Sequence, residues 1–124
     1  MDDNTKLLDQ IQMQTVMCAI DFSEVAEVAL EQAKRFARRY EATLVLAHIV
    51  EPIPLGPYPE IVPPHSELAI TGLARERLID LGAALEAEGL QTTTHVREGR
   101  PGPELVTLGA EIAADLVVIG TKGL

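Results

Sequence analysis

Two stretches of this chain, TVMCAI (15–20) and TLVLAHIV (43–50), are apolar almost without a break. A strand with one face in water alternates apolar and polar residues. A strand without alternation is buried on both faces, as strands are in a parallel sheet. Between the two stretches the pattern changes to a helical one. Ala26, Ala29, Leu30, Ala33, Phe36, Ala37 and Tyr40 recur at a period of about 3.6 residues. Ser23 stands where an N-cap belongs. Glu24 and Glu27 at the front and Lys34, Arg35, Arg38 and Arg39 towards the rear suit the helix dipole, so the basic cluster reads as a solvated helix end.

The alternation continues. Ser66 to Glu88 reads as a helix with Ile70, Ala74, Leu78, Leu81 and Leu85 on one face, and Gly89 stops it. Leu90 to Val96 alternates, with Leu90, Thr92, Thr94 and Val96 on one side, which predicts a half-exposed edge strand. After the turn at Gly99 to Pro103, Pro103 starts a helix whose buried face carries Leu105, Leu108, Gly109 and Ile112. Leu116 to Ile119 is the fourth strand. The order β-α-β-α-β-α-β predicts one α/β domain, an open, mostly parallel twisted sheet with helices on both faces. EPIPLGPYPEIVPPH (51–65) holds six of the eight prolines and can be neither helix interior nor central strand, so it reads as a long loop. Residues 1–14 are a polar lead-in in which Leu7, Leu8 and Ile11 could share a helical stripe.

Composition narrows the function. A net charge of −9 disfavours nucleic acid and anionic membranes as partners. No apolar run approaches the roughly 18–20 residues that span a bilayer. The opening MDDNTKLLDQIQMQ lacks the apolar centre of a signal peptide, so a cytoplasmic protein is expected. The single cysteine, Cys18, lies in an apolar run and reads as a small buried hydrophobe. His48, His65 and His95 are scattered, so no zinc spacing exists.

Open parallel sheets bind ligands beyond the carboxyl ends of their strands, where strand order reverses. Three groups lie at such ends: Asp21, the His48 to Val50 stretch, and Gly120-Thr121-Lys122-Gly123. A glycine turn can bring N–H groups close to an anion, with Lys122 adding charge and Thr121 a hydroxyl. On its own, Gly-x-x-Gly is better explained by a plain turn, and it is not a Walker A loop. Asp21 could accept from ribose hydroxyls, help hold a metal-bound phosphate or help cap the next helix, and its sequence position does not choose between a ligand and a capping role. His48, inside an apolar strand, reads as a core or rim histidine before a catalytic one. No Ser, His and Asp are arranged as a triad.

Taken together, A-x-D-x-S at the end of the first strand, L-x-H-I-V at the end of the second, E-G-x-P before the last helix and D-L-V-V-I-G-T-x-G at the fourth strand resemble the universal stress protein family over residues 15–124. The resemblance implies a Rossmann-like fold of the adenine nucleotide alpha hydrolase type, with residues 1–14 as an N-terminal extension. It implies a cytoplasmic stress-response module that binds ATP with Mg²⁺ and acts through its bound state or as a homodimer, at most a slow ATPase. Carried across, Asp21 meets the ribose, main-chain groups at Ala19 and Ile49 meet the adenine, and Gly120, Thr121, Lys122 and Gly123 begin the phosphate loop. The family's binders continue that loop for nine residues to a further glycine with Ser or Thr, followed by a final strand. Both are absent from these 124 residues. The expectation is that the natural protein continues beyond Leu124; a shortened protein is the alternative. A dimer that works without nucleotide is the competing functional reading.

Overall fold

The computed structural model describes residues 12–52 and 67–121, the side chains of 67–70 excepted. Seven elements follow one another: β1 (Thr15–Ala19), α1 (Glu24–Tyr40), β2 (Thr43–Val50), α2 (Glu67–Ala87), β3 (Thr92–Glu98), α3 (Pro101–Glu111) and β4 (Leu116–Val118). The four strands form one sheet in the order β3-β2-β1-β4, and every pairing is parallel. Thr15 stands opposite Thr43 and Ala19 opposite Ala47. Met17 stands opposite Val117. The α/β fold and its parallel sheet are those the apolar pattern predicts.

Strand periodicity divides the core in two. Val16, Cys18 and Ile20 of the β1 run, with Leu44 and Leu46 of β2, face α1 and α2, where Leu30, Ala33, Leu78 and Leu85 cover them. Met17, Val45 and Ala47 face the other way and meet Leu105 and Leu108 of α3. The lack of alternation in β1 and β2 therefore has its expected cause: both faces are covered. Burial pushes the Cys18 thiol up to about 12, so it stays a protonated, unreactive core side chain.

Several boundaries differ from expectation. β1 ends at Ala19 and β4 at Val118, each one residue early, although the Ile20 N–H still donates to the Ala47 carbonyl of β2. β3 starts at Thr92 rather than Leu90 and runs to Glu98. Leu90 is buried in the α1–α2 core without joining the strand. α3 begins at Pro101, two residues early, since proline is tolerated throughout the first turn. The N-terminal stripe of Leu7, Leu8 and Ile11, residues 53–65 of the proline-rich loop and the Ser66 start of α2 lie outside the described residues.

The basic end of α1 is a more substantial correction. Lys34 is only 8% exposed, so it does not belong to a solvated cluster. It lies one turn beyond Leu30 on the inward stripe, and its Nζ reaches Glu88 at 3.0 Å and Glu31 at 3.2 Å. Phe36, expected on the buried face, is 38% exposed instead. The inward stripe at this end is narrow and made of alanines, with Ala33 and Ala37 against the sheet.

Candidate functional site

The order β3-β2-β1-β4 reverses direction between β1 and β4: the chain steps outwards from β1 to β3, then returns to the far side of β1. That reversal is the position where an open sheet leaves a crevice beyond its strand ends. A cavity of about 330 Å³ lies there, within the usual size range of small-molecule sites. The end of β1 contributes Ala19, Ile20 and Asp21, the end of β2 contributes Ala47, His48, Ile49 and Glu51, and the chain beyond β4 contributes Ile119 and Gly120. Ala26 of α1 and Pro101 and Leu105 of α3 complete the wall.

Four residues singled out in the sequence, Ala19, Asp21, Ile49 and Gly120, thus line one cavity although they lie on three strand ends. Thr121 follows Gly120 and is exposed, but it is not part of the lining. Lys122 and Gly123 lie outside the described residues. Glu51, Pro101, Leu105 and Ile119 were not singled out as site residues. Their usable signal is topological: each sits at, or just past, the carboxyl end of a strand or at the start of the helix facing the crevice.

Asp21 is tied down locally. The Ser23 main-chain N–H donates to its Oδ1 at 3.0 Å, and the Ser23 hydroxyl makes a short bond to the same oxygen. Ser23 Oγ in turn accepts from the Ala26 N–H at 3.2 Å, capping α1. The hydroxyl bond from Ser23, more than any other influence, holds the Asp21 carboxyl below its ordinary value. Asp21 thus assists the cap of α1 only through Ser23, the capping residue, and it uses one carboxylate oxygen, leaving Oδ2 outside that pair of bonds.

Gly120 is held by close packing. A Cβ built on it would stand 2.6 Å from the Val25 carbonyl oxygen and 2.7 Å from Val25 Cγ1. Only glycine lets the chain beyond β4 pass this close to the first turn of α1. At the opposite wall, Pro101 and Pro103 remove two main-chain donors from the start of α3, while the Glu104 N–H is used by the Arg100 carbonyl at 3.0 Å. That helix terminus offers an anion little beyond the Gly102 N–H.

The lining is chemically mixed. Ala19, Ala47, Ile49, Leu105 and Ile119 make apolar walls. Among the described residues that line it, Asp21 and Glu51 are carboxylates and none is lysine or arginine. Such a cavity suits a flat, neutral ring with hydroxyl groups at its rim better than a bare anion. Among the described residues no three His, Cys, Asp or Glu side chains converge to hold a metal ion, and no helix is long and apolar enough to cross a membrane.

A second cavity, of about 300 Å³, opens between α1 and α2 on the other side of the β1 end. Ile20 and Ala26 border both cavities. Between the two runs the turn Asp21-Phe22, in which Phe22 adopts a left-handed backbone with φ 64°.

Comparison with known proteins gives a consistent result. The sequence model of the Universal stress protein family matches residues 13–124. A curated universal stress protein of Thermus aquaticus is 31% identical, the match covering 89% of this chain and 78% of the relative. Among solved structures, the universal stress protein UspA of Lactobacillus plantarum superposes with a TM-score of 0.76 at 20% identity, over 93% of this chain and 81% of that one. The universal stress protein of Archaeoglobus fulgidus in complex with dAMP superposes with a TM-score of 0.61 at 22% identity, over 89% of this chain and 82% of that one.

Proposed function

The chain belongs to the universal stress protein family, and from that premise we propose that it is an adenine-nucleotide-binding module of the stress response, taking ATP with Mg²⁺ in the cavity at the β1–β4 switch point. The observation that carries the reading is the meeting of Ala19, Asp21, Ile49 and Gly120, from three strand ends, around one cavity. The apolar walls accept adenine, with main-chain groups at Ala19 and Ile49 available to its edge. Asp21 accepts from the ribose hydroxyls. The chain from Gly120 through Thr121, Lys122 and Gly123 runs to the phosphates. The dAMP complex of the Archaeoglobus fulgidus relative supports the ligand class.

The donor set fits that nucleotide in one orientation. Asp21 and Glu51 repel phosphates, so the nucleoside end lies inside and the phosphates lie outwards, where a divalent cation carried on them offsets the two carboxylates. The role is binding rather than turnover, since the Ser23 hydroxyl is committed to Asp21 Oδ1 and to the cap of α1 and the remaining Asp21 oxygen meets the ribose. The protein works in the cytoplasm, and its net charge of −9 keeps it from nucleic acid.

A homodimer that signals without nucleotide is the second reading. It draws on β4, an edge strand among the described ones, where Val117 is 41% exposed and Ile119, just beyond the strand, 51%; an apolar edge favours pairing with a further strand or a second copy. Purified protein, denatured and filtered, separates the two readings. Released adenine nucleotide in the filtrate, identified by its ultraviolet spectrum, supports the binding module; with no Trp and two Tyr the protein contributes little absorbance. A nucleotide-free filtrate from protein that also fails to take up added ATP favours the second reading.

A further inference from the structure

His48 lies near the end of β2 on the face that carries Leu44 and Leu46, towards α1 and α2. Its Nδ1 stands 2.6 Å from the carbonyl oxygen of Ile20. A carbonyl oxygen only accepts, so Nδ1 carries the proton and the ring donates. The Ile20 N–H donates to the Ala47 carbonyl at 2.7 Å. Ile20, the last residue before the turn, is thus fixed on both sides by β2, by main chain at its N–H and by a side chain at its carbonyl.

The next two residues part company. Asp21 lines the switch-point cavity, and Phe22 lines the cavity between α1 and α2. Phe22 does so with a left-handed backbone, a conformation that bulky side chains adopt only where their surroundings hold them there. Two side chains hold it here, His48 and Arg77. The His48 ring meets the Phe22 ring with centroids 5.0 Å apart and planes tilted by 49°. The Arg77 guanidinium sits 3.9 Å over the Phe22 ring, close enough for a cation–π contact.

We infer that His48 is a positioning residue: its Nδ1–H bond to the Ile20 carbonyl, with its ring against Phe22, fixes the Ile20–Phe22 turn and so sets where Asp21 and the main chain of Ala19 and Ile20 meet a nucleotide. The inference rests on the proposed nucleotide site for its consequence, though not for its geometry. His48 also borders the switch-point cavity, so exchange in the ligand-free chain, which a direct ligand contact would not move, is the readout that isolates positioning. The ring acts by denying the turn the alternatives that would swing Asp21 out of register, a displacement that a binding group tolerates only to a fraction of an ångström.

Two variants separate the donor from the bulk. His48→Leu fills the space and removes the donor. His48→Asn places an amide N–H where Nδ1 stood and removes the ring. The ligand-free readout is hydrogen exchange at the Ser23 amide, whose N–H donates to Asp21 Oδ1, with the Met17 amide in the middle of β1 as reference. The second readout is the affinity for ATP with Mg²⁺. His48→Leu should speed exchange at Ser23 about tenfold with Met17 unchanged, and weaken ATP about tenfold. His48→Asn should recover most of both. Unchanged Ser23 exchange in His48→Leu, or His48→Asn no better than His48→Leu, overturns the inference. Should His48→Leu not fold, His48→Asn decides alone: Ser23 exchange within about threefold of the natural chain supports the donor role, and a tenfold rise overturns it. If the natural chain takes up no ATP, the nucleotide reading fails, while exchange in the ligand-free chain still decides whether His48 positions the turn.

Discussion

A Cβ placed on Gly120 would stand 2.6 Å from the carbonyl oxygen of Val25, so the chain beyond β4 and the first turn of α1 are packed backbone to side-chain-free backbone. In the sequence Gly120 reads as the first glycine of a phosphate loop. The packing requires glycine there whether or not a phosphate ever arrives.

Gly120→Ala therefore tests packing and site together. The contact is with the Val25 side chain and also with its main chain; the main chain cannot rotate away, so the end of β4 must move off α1. Overpacking of this kind costs about 1–3 kcal/mol. Urea unfolding should show a lower midpoint with an unchanged slope, and ATP affinity should fall. An unchanged midpoint would mean that the chain beyond β4 is not held against Val25.

The Asp21–Ser23 pair predicts a pH dependence. The folded carboxyl titrates below its ordinary value of 3.8, chiefly because the Ser23 hydroxyl donates to its charged form. A depressed carboxyl stabilises the fold fully above the unfolded value, and the contribution disappears as pH falls through the lower folded value. Unfolding measured from neutral pH into the acid range should find Asp21→Asn less stable than the natural chain at neutral pH, with the gap closing below about pH 3.8. A gap that persists undiminished in acid would count against the charged form as the acceptor.

How much of this was legible beforehand depends on what each feature needed. β1, β2 and their helices followed from apolar periodicity, because burial on both faces removes alternation. Asp21 and Gly120 could be placed at strand ends, but their joint position against Ile49 needed the strand order, which periodicity does not carry. Lys34 was misread for a clear reason. A basic residue in the last turns of a helix ordinarily points to solvent. Here the C-terminal end of α2 brings Glu88 to meet it, a partner 54 residues away. The turn at Phe22 was invisible, since nothing local marks a phenylalanine for a left-handed backbone.

Lys34 offers a separate test. Its stem is buried along the α1–α2 core while its ammonium meets Glu31 and Glu88. Truncation by Lys34→Ala removes three methylenes from that contact and should cost about 2 kcal/mol. Lys34→Met keeps the stem and should recover most of the loss, as buried ion pairs are often replaced by apolar side chains with little penalty. Thermal unfolding of the two variants checks this. Equal destabilisation by both would assign the effect to the ion pair instead.

The central claim is that the cavity at the β1–β4 switch point holds an adenine nucleotide through Asp21. Calorimetric titration of the folded 124-residue chain with ATP and Mg²⁺, beside Asp21→Ala, tests it most directly. The account predicts saturable one-site binding at micromolar ATP and a loss of about 1–3 kcal/mol in Asp21→Ala, the effect of removing a charged acceptor. No saturable binding by the natural chain, or binding that Asp21→Ala leaves unchanged, would contradict it.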